Sequence, residues 1–119
     1  MAIPASTSVW PEMMDPYDIL DFVVDCSGML EPNELIASHT ISLLAEASAL
    51  GLVINTTSPY ATTVESGTSI RVWFSILPAE QGNPAFNTSA TLPMELVITT
   101  NAVPPRRKQR TLAVKVGQK

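Results

Sequence analysis

The sequence predicts an all-β protein: an immunoglobulin-like antiparallel β-sandwich of about seven strands, preceded by an extended N-terminal arm. Short runs of alternating apolar and polar residues recur along the chain, with turn signals roughly every 8 to 12 residues. Hydrophobic residues make up 45% of the 119 residues and charged residues 15%, which suits one folded core. We therefore divide the chain into an arm at residues 1–14 and a sandwich domain at residues 15–119.

The predicted arm is extended because Pro4 and Pro11 disfavour a helix. Its large apolar side chains are candidate anchors for a partner protein: Trp10, Met13 and Met14. Residues 1–10 have neither the basic start nor the continuous apolar stretch of a signal peptide, so we expect no leader and synthesis in the cytoplasm. No apolar run approaches the roughly 20 residues of a membrane-spanning helix, so no membrane association is expected.

The first half of the domain opens with a turn at Asp15 and Asp18, since Asp favours turn-opening positions. Strands are predicted at residues 19–26, 34–43 and 52–56, with a weak edge strand at 60–65. Residues 43–50 have a helix-favouring composition and form at most a helical loop, which Gly51 ends.

The second half contains the clearest central strand, residues 69–75, where Ile70, Val72 and Phe74 alternate with polar or larger outward residues. Residues 77–91 are predicted to be a long surface loop, a frequent site of binding elements. The chain closes with a hairpin whose strands cover residues 94–101 and 110–116 around a Pro-containing connector. The residues of this hairpin predicted to be core are Leu96, Ile98, Leu112 and Val114.

Charge is divided unevenly along the chain. Residues 1–70 contain nine acidic residues and no Lys or Arg, whereas residues 71–119 contain seven basic and two acidic residues, a net charge of +5. If the fold separates the two poles, copies could stack or each pole could meet a different protein. If the fold brings them together, they neutralise one another within one subunit.

The sequence offers little catalytic chemistry. His39 and Cys26 are the only residues of their types, which is too few ligands for a zinc site, and no nucleophile elbow or Gly-rich phosphate loop is present. We expect no enzyme activity, cofactor or metal. The four aspartates of the first strand region lack the order of a calcium loop and indicate either a solvated acidic edge or a partner-binding edge. They are Asp15, Asp18, Asp21 and Asp25.

A basic run lies in the closing hairpin and consists of Arg106, Arg107, Lys108 and Arg110. It fits a charged hairpin tip with intramolecular partners or a protein interface. Nucleic-acid binding is not expected, because no aromatic side chain is interleaved with the basic residues and the protein as a whole is acidic.

Several segments resemble the phage fiber-tail adaptor family of small virion proteins. The first are Asp15-Pro16-x-Asp18, Leu-Asp-Phe-Val-Val-Asp-Cys-Ser at residues 20–27 and Glu-Leu-Ile-Ala-Ser-His-Thr-Ile at residues 34–41. The later ones are Gly51-Leu52, Val72-Trp73-Phe74-Ser75 and the Arg-bearing final hairpin, so the resemblance covers about residues 15–116. The chain departs from the family at Cys26 and Ile41, where Trp is usual, and where residues 78–83 replace a Gly-Gly loop.

The resemblance implies a structural virion protein, present in several symmetry-related copies, that joins the tail tube or its adaptor to receptor-binding tail fibers. It implies contacts through the arm and the basic loop, with no small-molecule substrate. The predicted partner-binding residues are Trp10, Met13, Met14, Asp15, Asp18, Arg106, Arg107, Lys108 and Arg110. Two alternatives remain open: a capsid decoration or cement protein, and an immunoglobulin-like carbohydrate-binding module, which would need exposed aromatic side chains on a shallow face.

Overall fold

A computed structural model describes residues 7–118 and shows a sandwich of two β-sheets. Sheet A consists of β1 (Ser8–Met14), β8 (Arg107–Val116), β7 (Ala90–Thr100) and β3 (Ile36–Leu43), in that spatial order. Sheet B has β6 (Ser69–Ile76) at its centre, with β2 (Leu20–Asp25) along one side. The short strands β4 (Leu52–Ile54) and β5 (Thr63–Glu65) share the other side of β6. The predicted all-β sandwich is therefore confirmed.

The closing hairpin is the centre of sheet A, because β7 and β8 form its longest antiparallel pairing. Met94 lies opposite Leu112 and Leu92 lies opposite Val114, and these side chains point into the sandwich. The four hairpin residues predicted as core are all buried: Leu96, Ile98, Leu112 and Val114. Burying apolar side chains of this size contributes roughly 1.5–3 kcal/mol each, so this hairpin supplies much of the core energy.

The sequence predicts an extended arm over residues 1–14, of which residues 1–6 lie outside the part of the chain that the structure describes. Residues 8–14 are extended, but they form β1 and pair in parallel with the last strand β8, so the sandwich is not purely antiparallel. A register shift between Val9 and Met13 surrounds Pro11, which has no backbone N–H to donate to a ladder. Met14 at the end of β1 is fully buried in the core. With β1 included, residues 7–118 form eight strands instead of about seven.

The segment between β3 and β4 contains the helix α1 (Ala45–Ala49), as its composition predicted. The chain leaves this helix through Gly51, whose φ is +82°. A side chain at Gly51 would be strained by this left-handed backbone conformation, and its Cβ would lie 2.7 Å from Cγ of Glu80. Among the residues described, no helix has the length and hydropathy needed to cross a bilayer.

The predicted long surface loop at residues 77–91 is shorter and more structured than expected. It contains 3₁₀ turns at Pro78–Glu80 and Pro84–Asn87, and β7 already begins at Ala90. Phe86 is fully buried, and its carbonyl accepts a hydrogen bond of 2.9 Å from the backbone N–H of Gln118. One buried aromatic side chain therefore holds this segment against the body of the sandwich.

Candidate functional site: a groove between the outer strands of the two sheets

The outer strands β1 and β2 lie next to one another along one side of the sandwich and are joined by Trp10. The indole Nε1–H of Trp10 on β1 donates a hydrogen bond of 2.9 Å to the carbonyl oxygen of Val23 on β2. The indole ring packs against two core aromatics, with ring centroids 5.3 Å from Phe22 and 5.7 Å from Phe74. Trp10 therefore connects sheet A to sheet B at an edge where no backbone pairing joins the described strands of the two sheets.

A groove of about 410 Å³ follows this seam, a volume within the range of small ligand sites. Its walls come from β1, β2, the turn after β2 and the middle of β8. Its apolar lining includes Val9, Trp10, Val23, Met29 and Leu112. Val9 and Val23 remain 43% and 39% exposed, so part of the apolar lining faces solvent.

Two opposite charges stand in the groove wall, Asp25 and Arg110. The backbone N–H of Ser27 donates to Asp25 Oδ1 at 3.0 Å and lowers the pKa of that carboxyl, so it stays ionised at neutral pH. The Arg110 guanidinium donates to the carbonyl of Gln109 at 2.7 Å, and no acidic side chain among residues 7–118 forms an ion pair with it. The groove thus combines an apolar lining with one anionic and one cationic contact point.

Arg106 is turned toward its own chain. Its guanidinium lies 3.5 Å from Glu31 Oε1 and 3.6 Å from Glu34 Oε2. Glu34 is buried, and its pKa is lowered first by the backbone N–H of Glu31, which donates at 3.0 Å, and further by Arg106. Arg106 therefore has the intramolecular partners that one interpretation of the basic run expected.

The other basic residues of the run lie on β8 and point in different directions. Arg107 is exposed and has the same strand parity as Ala113 and Lys115, on the outer face of sheet A, whereas Lys108 and Arg110 have the parity of the inward Leu112. The structure consequently does not gather the predicted basic residues into one patch. Only Arg110 of this run lines the groove.

The predicted contacts of the arm are also separated. Trp10 is half-buried in the seam, Met13 is half-buried opposite Lys115, and Met14 is fully buried. The expectation that Met14 contacts a partner is wrong for this fold, because its side chain belongs to the core. Of the three, Trp10 alone lines the groove.

The aspartates of the first strand region take part in local structure. Asp18 Oδ2 accepts from the backbone N–H of Asp15, and Asp15 Oδ1 accepts from that of Tyr17, which fixes the turn between β1 and β2. Asp21 pairs with Arg71 on the outer face of sheet B, and Asp25 lines the groove. No group of three potential ligands in the described part of the chain is arranged to hold a metal ion.

The charge poles are partly neutralised within the subunit. Arg71 on β6 pairs with Asp21 on β2 and with Glu65 on β5, where the Nε–Oε2 distance is 2.7 Å. Together with Arg106, this accounts for two of the seven basic residues. Arg107 and Lys115 remain on the outer face of sheet A and Arg110 remains in the groove wall, so β8 still presents positive charge.

Sequence reasoning missed most of the groove, including Val9, Val23, Met29 and Leu112 as lining residues. The groove exists only because β1 and β2 belong to different sheets that face one another, a relationship that strand periodicity does not encode. The one available signal was Trp10, an aromatic residue with an N–H donor in a segment otherwise rich in small and polar residues.

A scan against models of known protein families finds no match to this chain, and a search of curated proteins finds no relative.

Proposed function

We propose that this chain is a non-enzymatic structural protein of a phage virion that joins the tail to its receptor-binding fibers. In this role it binds an extended segment of one partner protein in the groove between β1 and β2. The observation that carries the binding part is the groove itself, with its apolar lining and its two opposite charges. The assignment to a phage tail rests on the resemblance of the strand motifs to fiber-tail adaptors.

The chemistry of the groove suits a polypeptide. Val9 and Val23 are exposed at its rim and would be covered by an apolar side chain of the partner. Arg110 would pair with a carboxylate of the partner, and Asp25 with a Lys or Arg. A bound segment would gain apolar burial and two charge contacts without any rearrangement of the backbone.

A second face is available for the other partner. The outer face of sheet A presents the exposed Arg107 and the half-buried Lys115 on β8, and neither forms an ion pair among the described residues. An adaptor needs two independent contact surfaces. The groove and this basic face meet that requirement from different sides of β8.

The groove is tested by reversing its cation. In particles assembled with Arg110→Glu, we expect at least a tenfold loss of particles that carry fibers, counted by electron microscopy. The matched control is Lys108→Glu, which makes the same charge change two residues earlier on the same strand, outside both the groove and the basic outer face. Particles with a full set of fibers in the Arg110→Glu variant, together with normal incorporation of the protein, would contradict the proposal.

The location in the virion is tested separately. A labelled antibody against this chain should mark tails where fibers attach. Labelling of heads would instead support a capsid decoration or cement protein and would overturn the tail assignment.

One observation favours a second candidate function, a carbohydrate-binding module. On the outer face of sheet B, the rings of Tyr60 and Trp73 pack together with their centroids 5.2 Å apart. They lie beside Asn55 and Ser75, whose side chains are hydrogen-bonded to each other. Aromatic rings with neighbouring polar groups are suited to stacking on sugars. Glycan-array binding by the whole chain that is lost in Tyr60→Ala would support this function, and an array without binding would remove it.

A further inference from the structure

The outer strand β3 differs from the other outer strands because its residues 38–43 carry no feature that blocks pairing with another chain. It runs over eight residues, Ile36–Leu43, and among the described strands it pairs only with β7. It contains no Pro, Asp, Glu, Lys or Arg. Its register shift is confined to its start, between Ile36 and Ser38. A long, regular, uncharged edge strand is a template for strand addition.

Each of the other outer strands carries a protective feature. β1 has Pro11 and a register shift. β2 carries Asp21 and Asp25, and its Val23 carbonyl already accepts the hydrogen bond from Trp10. β4 and β5 have three residues each. Proline, bulges, charges and short length are the devices that prevent edge-to-edge association, and residues 38–43 of β3 have none of them.

The outward side chains of β3 form a pattern that is symmetric about one residue. Ser38, Thr40 and Ser42 lie opposite Thr99, Val97 and Glu95 of β7, on the outer face of sheet A, and all three are exposed. In an antiparallel pairing of two copies centred on Thr40, Ser38 of one copy would face Ser42 of the second, and Thr40 would face Thr40. Directly opposed Ser and Thr hydroxyls are favourable cross-strand pairs.

We propose that two copies of this chain associate through β3, antiparallel about a two-fold axis at Thr40, and join their A sheets into one sheet of eight strands. A second copy is the occupant because the edge is complementary to itself: an uncharged strand opposes no like charges across the axis. Among the inward-facing residues of β3, His39 of one copy would face Ile41 of the other. The Ile41 side chain is half-buried within its own subunit. This inference goes beyond the proposed function and does not depend on it, since β3 and the groove strand β1 lie at opposite edges of sheet A.

The test is the oligomeric state of the whole chain, measured by sedimentation over a wide range of protein concentration. The wild type should form dimers. Thr40→Lys and Thr40→Glu should each weaken dimer formation at least tenfold, because each places like charges opposite one another on the axis. An equimolar mixture of the two variants should restore a heterodimer, which also shows that both variants are folded.

Thr111→Lys is the matched control, because it places lysine on the same face of sheet A but on β8, and it should leave the dimer intact. A wild type that stays monomeric up to its solubility limit would overturn the proposal, as would dimers that persist in both Thr40 variants. Neither result would bear on the groove, which the Arg110→Glu particles test independently.

The register is tested by disulfide trapping. Opposed residues of antiparallel strands have Cα atoms about 4.5–5.5 Å apart, within the separation that a disulfide spans. Thr40→Cys should therefore crosslink to itself on oxidation, and Ser38→Cys should crosslink to Ser42→Cys in a mixture. The native Cys26 is fully buried and should not compete. Crosslinking of Ser38→Cys to itself, without crosslinking to Ser42→Cys, would overturn the proposed axis.

Discussion

Trp10 on β1 donates its indole N–H to the carbonyl oxygen of Val23 on β2, at 2.9 Å, and so closes the seam between the two sheets. The same side chain forms part of the groove wall. One residue therefore contributes both to the stability of the sandwich and to the surface proposed to bind a partner. Its two contributions can be separated by substitution.

Trp10→Phe retains an aromatic ring against Phe22 and Phe74 but removes the hydrogen bond to Val23. We expect a loss of about 1 kcal/mol in the free energy of unfolding, the usual contribution of one such bond. Trp10→Ala also removes ring packing and should cost about 3 kcal/mol or more. Urea unfolding followed by circular dichroism measures both, and the control Val103→Ala, at a 97% exposed position, should be neutral. Equal effects of Phe and Ala at position 10 would mean that packing contributes nothing.

Arg71→Met should make the stability of the protein less sensitive to acid. The Arg71 side chain donates a hydrogen bond to Glu65 and lowers the pKa of that carboxyl from its ordinary value. A carboxyl with a lowered folded pKa contributes stability above its unfolded pKa and loses that contribution as the pH falls through the folded pKa. The difference in urea midpoint between wild type and Arg71→Met should therefore be largest near pH 7 and shrink below about pH 4.

The matched control is Arg107→Met, which removes a cation that has no ion pair in the described part of the chain. Its urea midpoint should keep a constant offset from wild type across the same pH range. A difference for Arg71→Met that grows as the pH falls would contradict the assigned role of the Glu65 and Asp21 pairs.

Glu46 in α1 has a destabilising feature. Both of its carboxylate oxygens are buried, and neither has a hydrogen-bond partner among the described residues. Replacing the side chain by an apolar one of similar length removes an unsatisfied polar group, so Glu46→Met should stabilise the fold by about 1–3 kcal/mol. Glu46→Gln keeps the shape and polarity but removes the charge, and its gain should be smaller. Thermal or urea unfolding that places Glu46→Met below wild type would contradict this account.

Leu96 tests the hairpin as the centre of the core. It lies on β7 opposite Arg110, points into the sandwich and is fully buried. Leu96→Ala leaves a cavity between the sheets and should cost about 2–5 kcal/mol in the free energy of unfolding. Urea denaturation checks this value, with Val97→Ala on the outer parity of the same strand as the control. A loss at Leu96 no larger than at Val97 would show that the hairpin is not the main packing element.

Local patterns predicted the sandwich because each inward face follows strand periodicity. The alternation of Ile70, Val72 and Phe74 predicted β6 nearly at its observed bounds, whereas that of Leu96 and Ile98 located β7 but missed its start at Ala90. Gly51 correctly marked the end of the short helix. These features depend on side chains a few residues apart, which a sequence displays directly.

Pairing between strands that lie far apart in the sequence could not be predicted in this way. β1 was missed because Pro11 interrupts its alternation, and its place beside β8 depends on contacts about a hundred residues away in sequence. The groove needs two strands of different sheets, so only Trp10 and Arg110 of the predicted partner-binding residues line it. The ion pairs of Arg106 with Glu31 and Glu34 could not be predicted, because they depend on the segment before β3 lying beside the connector between β7 and β8.

The most direct test of the groove places a photoreactive amino acid at Val9, which is 43% exposed and lines it, in particles assembled with the full chain. The same amino acid at Val103, exposed in the connector between β7 and β8, is the control. We expect illumination to crosslink position 9 to a tail or fiber protein, and this product to be absent or much weaker from position 103. Crosslinks from position 103 alone, or particles in which position 9 reacts with no other protein, would contradict this expectation.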